Sequence, residues 1–89
     1  MIRYIYATKN RKSENFNAPQ INNFPKDNAV EEFTISVKEV PEMQKEAVKE
    51  LDFYYLGTFD TRTGVVVPVC EYLFSADAVL GGSHGEEKN

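Results

Sequence analysis

Eighty-nine residues with 42% hydrophobic side chains, six Phe and five Tyr suffice for one compact domain, and a chain this short buries only about 60 to 65% of its unfolded surface. The single cysteine, Cys70, excludes an intramolecular disulfide and a cysteine-rich zinc site, which fits a reducing cytoplasm. The net charge of −4 is uneven: Arg3, Lys9, Arg11, Lys12 and Lys26 against Glu14 and Asp27 make residues 1–30 +3, leaving −7 for the remainder, an asymmetry found on nucleic-acid arms and on ordinary solvated surfaces alike.

The opening MIRYIYATKNRK has neither the apolar core of a secretory signal nor the roughly twenty apolar residues of a membrane span. A soluble, cytoplasmic chain is expected. Residues 2–7, IRYIYA, are β-branched and aromatic with Ile2, Tyr4 and Tyr6 on one side, the composition of a first strand. The stretch from Lys9 to Asn28 is dense in Asn and interrupted by Pro19 and Pro25, so it reads as a long loop of the functional or mobile kind.

From Asp27 onward the spacing of Ala29, Val30, Phe33, Val37 and Val40, with Asn28 and Glu31 placed as a capping box, predicts a helix over about 28–39. Phe33, Ile35 and Val37 also alternate as a strand would, so residues 33–40 admit both readings. Pro41 ends or restarts the run, and EMQKEAVKE predicts a second short helix or a broken continuation of the first. The segment LDFYYLGTFDTRTGVVVPVCEY is the clearest local signal, two apolar runs flanking DTRTG, hence a β-hairpin. Asp60 is placed to accept backbone amides in the turn, and Gly64 to take the left-handed conformation that a type I turn with a bulge requires. Pro68 cannot donate to a ladder, which assigns its strand to a sheet edge or a bulge. Ser75 is placed to cap a last helical turn, ADAVL, before a disordered acidic tail at 81–89.

Catalytic chemistry finds little material. The sole histidine, His84, lies in the tail, where nothing orients it as a base or ligand. Cys70, among Val67, Val69, Tyr72 and Leu73, reads as a buried strand thiol with no base to activate it. Glu39, Glu42, Glu46 and Glu50 fall three or four apart, but Lys45 and Lys49 stand ready to pair with Glu42 and Glu46, so a solvated face outweighs a metal site. Asp52 and Asp60 fall at a strand entrance and in a turn, and no glycine-rich phosphate loop is present. No enzyme, metal or cofactor is expected. Nucleic acid is the stronger candidate: Arg3, Lys9, Arg11 and Lys12 stand beside Tyr4, Tyr6 and Phe16, and rings stacked on bases beside a cationic groove are how single strands are held without sequence reading. The competing reading makes Tyr4 and Tyr6 core residues of the first strand.

The order MIRYIYATKNRK, APQ, a helical segment with Ala29 and Phe33, then Phe53-Tyr54-Tyr55-Leu56-Gly57-Thr58-Phe59-Asp60 followed by Thr63-Gly64, resembles the small nonstructural protein of gokushovirus-type Microviridae, tailless phages with single-stranded DNA. The likeness covers about residues 1–73. It implies a non-virion accessory protein of the host cytoplasm, with a role in viral DNA replication or in the switch to packaging single-stranded DNA. The VVVPVCEYLF extension and the net acidity depart from that pattern, and the acidity weighs against direct DNA contact.

Together these readings predict an α+β domain over 1–80, a three-stranded, mainly antiparallel sheet packed on one or two helices from residues 28–50. The expected partners are single-stranded DNA or phage replication and packaging proteins, met through the first strand and the 9–16 loop. The alternative is a protein-interaction or homodimerisation module without nucleic-acid binding, using the edge strand around Pro68 and the acidic helical face.

Overall fold

The computed structural model describes residues 1–81. Four antiparallel strands form one sheet: β1 (Ile2–Asn10), β2 (Gln20–Asn22), β3 (Leu51–Asp60) and β4 (Val66–Ser75), in the order β2-β1-β3-β4. Helix α1 (Lys26–Lys38) follows β2, a 3-10 turn (Glu42–Gln44) runs into the one-turn helix α2 (Lys45–Val48), and α3 (Ala76–Leu80) follows β4. The α+β class and the hairpin agree with the sequence reading, while the sheet has four strands where three were predicted.

The extra strand lies inside the predicted long loop. Asn10 organises a tight reversal there, its side-chain oxygen accepting the amides of Lys12 and Ser13 at 2.8 and 3.0 Å, with Glu14 in the left-handed region at φ 62°. The chain then runs back along β1: Asn17 N donates to Thr8 O at 2.8 Å, Phe16 bridges Lys9, and Ile21 pairs with Ile5. Asparagine supplies both the side-chain acceptor and tolerance of turn conformations, so an Asn-rich stretch here makes an edge strand.

Residues 33–38 are helical. Ala29, Phe33 and Val37 recur every four residues and face the sheet, leaving Ile35 exposed, as the helical period requires. The helix begins two residues earlier than predicted, with Pro25 at its N-cap and no side-chain cap; the Asn28–Glu31 capping box does not form, because both residues already lie inside the helix. Pro41 precedes the 3-10 turn and α2, where Lys45 pairs with Glu42 at 3.2 Å and Lys49 with Glu46 at 3.3 Å. Since α1 stops at Lys38, Glu39, Glu42, Glu46 and Glu50 do not share one helical face.

The core lies between α1 and the sheet and is small. Buried apolar residues among those described are Tyr6, Ala29, Val37 and Ala76, with Ala7 buried on the opposite face of the sheet. Phe33 meets Tyr6 edge-on at 5.3 Å and Phe53 at 5.4 Å, and Phe53 stacks on Phe74 at 4.6 Å. Each such ring adds about 0.5–1.5 kcal/mol beyond its area burial. Tyr6 is 1% exposed and its hydroxyl donates to Phe24 O at 2.6 Å, tying β1 to the approach of α1.

Burial, reinforced by Tyr55 and Tyr4, pushes the Tyr6 phenol up to about 12. The folded value exceeds the unfolded one of about 10, so the associated stability is fully present below pH 10 and is lost as pH rises toward 12. Near-ultraviolet titration is therefore expected to show Tyr6 ionising late, together with loss of the fold. Ionisation of Tyr6 near its ordinary value in a still-folded chain would contradict this.

The hairpin follows the sequence reading. Asp60 accepts the Arg62 amide on its carboxylate at 2.9 Å, Gly64 N donates to Asp60 O at 2.8 Å and Asp60 N to Val65 O at 3.0 Å, and Gly64 has φ 76°. Ser75 caps α3 by accepting the Asp77 amide at 3.0 Å. Pro68 lies on β4, an edge of the sheet. Cys70, expected to be buried, is exposed, because this part of the edge strand has no covering layer. The acidic tail expected at 81–89, with His84, lies outside the described residues apart from Gly81.

Candidate nucleic-acid interface

Side chains directly opposite in an antiparallel pair share a face of the sheet. Tyr6 pairs with Tyr55 and Thr8 with Phe53, and Phe53 with Phe74, which fixes the helix side. Ala7 pairs with Tyr54, Tyr54 with Tyr72, and Ile5 with Ile21, and these point away from α1. The slip between Phe53 and Tyr54, with Leu73 left unpaired, lets Phe74 enter the core while Tyr72 turns outward, as bulges re-aim side chains.

An aromatic row crosses the helix-free face. Phe16 meets Tyr54 edge-on at 5.1 Å, and Tyr54 meets Tyr72 at 5.7 Å. Phe16 is 43% and Tyr72 52% exposed, so the row has an open surface. The Lys9 ammonium sits 5.5 Å from the Phe16 centroid, an attraction of about 0.5–1 kcal/mol at an exposed site. Asn17 Nδ2 holds Thr8 Oγ1 at 2.7 Å and so pins the returning segment that carries Phe16.

The structure separates the residues singled out in the sequence. Tyr6 is sealed beneath α1 and offers no surface for a base, and Tyr4 lies on the same side. Arg11 is a tie between elements: its Nη2 donates to Lys49 O at 2.7 Å and Ser75 Oγ at 3.0 Å, its Nε lies 3.3 Å from Asp52 Oδ1, and its amide donates to Glu50 O at 2.8 Å. Lys12 pairs with Glu50 at 2.9 Å, which raises the lysine pKa and lowers that of the glutamate, the hydrogen bond being the main cause in each. Both of these cations are engaged by the chain's own carboxylates. Lys9 makes no ion pair among the described residues, and Arg3, whose Nε is buried without a hydrogen-bond partner, pairs in register with Phe59 on the helix-free face.

Arg3, Lys9 and Phe16 thus remain from the sequence-derived set, and Tyr54 and Tyr72 join them. The signal for those two was their place in the hairpin strands, but the bulge at Leu73, invisible to simple alternation, decides which ring of each aromatic pair faces out. Among the described residues no group of three or more His, Cys, Asp or Glu side chains is placed to hold a metal, and no helix is long and apolar enough to cross a membrane. No curated protein and no solved structure matches the chain. Residues 3–79, from the first strand into α3, match the model of the Phage ORF5 protein family, and the chain belongs to that family.

Proposed function

We propose that the protein is a nonstructural phage accessory protein of the gokushovirus type, assisting viral DNA replication or the packaging of single-stranded DNA in the host cytoplasm. Membership of a phage protein family supports the setting. The observation that carries the DNA reading is the Phe16–Tyr54–Tyr72 row, open on the helix-free face with Lys9 at one end. Rings of this kind stack on bases of any identity, at about 1–3 kcal/mol per base. Arg3 and Lys9, which make no ion pair among the described residues, keep the phosphate contribution small, so binding is weak and tolerant of sequence.

Fluorescence anisotropy with labelled single-stranded DNA tests this. Binding at tens of micromolar protein (~10–100 μM) is expected at low salt, with a log–log salt slope of about −1 to −2, since each single-strand phosphate contact contributes about −0.7. No binding in that range removes DNA from the proposal. The second reading, a protein-interaction or homodimerisation module without nucleic acid, is favoured by the uncovered valines of β4.

A further inference from the structure

The geometry points to a self-association surface on the far half of the hairpin, where a second copy of this chain packs face to face on Val65, Val67 and Val69. It does not depend on DNA binding.

The placement follows from register and alternation. Glu71 pairs with Tyr55, and its carboxylate holds Lys26 of α1 at 2.9 Å, so Glu71 is on the helix side. Between Glu71 and Val67 the register slips, Val69 and Cys70 together lying opposite Leu56, so Val67 is placed by its own pairing and Val65, two residues before it, by alternation. Val67 pairs with Thr58 and Thr58 with Tyr4, so the side chains form a shelf across three strands. The shelf lies beyond the Lys26–Glu71 pair, and Val65, Val67 and Val69 are 55%, 55% and 39% exposed. Ile2, on the same side by alternation, is exposed as well.

Three observations make the occupant a second copy. First, residues 65–70 carry no charge, so a twofold contact centred on Val67 sets valine against valine, while the Asp60 carboxylate and the Met1 ammonium, 3.8 Å apart at the turn end of the shelf, pair with each other at its rim; such isologous contacts require self-complementarity. Second, the chain is extended. Its radius of gyration is 14.4 Å, against about 12 Å for a compact domain of this length, and so few residues are buried that the core needs further cover. Third, the exposed surface of Val65, Val67, Val69, Ile2 and Met1, doubled by a second copy, approaches the roughly 1,000 Å² at which specific interfaces begin.

Pro68 decides the manner of pairing. The Val67 carbonyl oxygen lies against Gly57, and the peptide is trans, so the Pro68 nitrogen faces the outer edge, where it has no proton to donate. A strand added to β4 would lose a bond there, a common protection of edge strands. The copies therefore stack sheet on sheet rather than extending one sheet.

Sedimentation velocity of the full chain tests this at about 1 to 100 μM, a span that resolves micromolar dissociation constants. Twice the chain mass is expected for wild type, a folded monomer for V67K, and a retained dimer for V66K, which changes the opposite face. A monomeric wild type throughout, or loss of the dimer in V66K but not in V67K, would overturn the proposal. Circular dichroism checks that V67K folds. If it does not, amide shifts of wild type on dilution decide: movement centred on Ile2–Tyr4 and Val65–Val69 supports the shelf, and movement centred on Phe16, Tyr54 and Tyr72 or on α1 overturns it.

Discussion

Replacing Gly57 with alanine is expected to cost about 3 kcal/mol or more, combining a strained backbone at about 1–3 kcal/mol with an overpacked contact of similar size. Gly57 lies in β3 at φ 130°, a conformation that L side chains rarely adopt. A Cβ there would clash with the Val67 carbonyl oxygen of the neighbouring strand, so backbone must move against backbone. The residue sits where the register slips, Ile5 pairing with Gly57 but Tyr6 with Tyr55, so that Leu56 is skipped. In a domain of this size such a loss lowers the melting temperature by more than about 10 °C, or prevents folding. Thermal denaturation followed by circular dichroism measures it, and a change of only a degree or two would contradict this geometry. Gly64→Ala is the milder comparison, because Gly64 also has positive φ but nothing within 4 Å of its added methyl.

Tyr6→Ala is expected to be at least as damaging, at about 3–5 kcal/mol, the usual range for removing a buried aromatic ring. Tyr6 is the largest fully buried side chain among the described residues, touching Phe33 and Tyr55. Tyr6→Phe keeps the rings together and leaves the Phe24 carbonyl without the phenol proton, at about 1–3 kcal/mol. Urea denaturation separates the two variants. Equal losses would mean that the hydrogen bond and not the ring secures β1 beneath α1. Most mutations of ordinary surface residues fall within about 0.5 kcal/mol, so neither effect is easily mistaken for a generic one.

What could be read from the sequence follows how local its causes are. The 60–64 turn was legible because Asp60 and Gly64 act within five residues of each other, and the Ser75 cap because its acceptor and donor are two residues apart. Helix α1 was legible in kind, since Ala29, Phe33 and Val37 keep one period, but the strand alternative for Phe33, Ile35 and Val37 was removed only by packing on Tyr6 and Phe53. The return strand was missed because Asn10 and Asn17 act through specific side-chain bonds, where composition suggests only a loop.

The candidate site was half legible for the same reason. Basic residues next to aromatics mark a face only if the strand's orientation is known. Tyr6 went to the core, and Arg11 and Lys12 went to Asp52 and Glu50, which lie about forty residues away in sequence and beside them in space. Bulges at Leu56 and Leu73 redistribute the hairpin's rings between the two faces, and so they determine which aromatics a ligand can reach. Gly57, unlike Gly64, gave no turn signal, because its role is set by a neighbouring strand.

Photocrosslinking of the full chain to bromodeoxyuridine-substituted single-stranded DNA, with the modified residues identified by mass spectrometry, tests the central claim that the helix-free face meets the nucleic acid. Adducts on Phe16, Tyr54 and Tyr72 are expected, weakened by the double variant Phe16→Ala, Tyr54→Ala. Adducts confined to α1 or to the Lys12–Glu50 end, with none on these three rings, would contradict it.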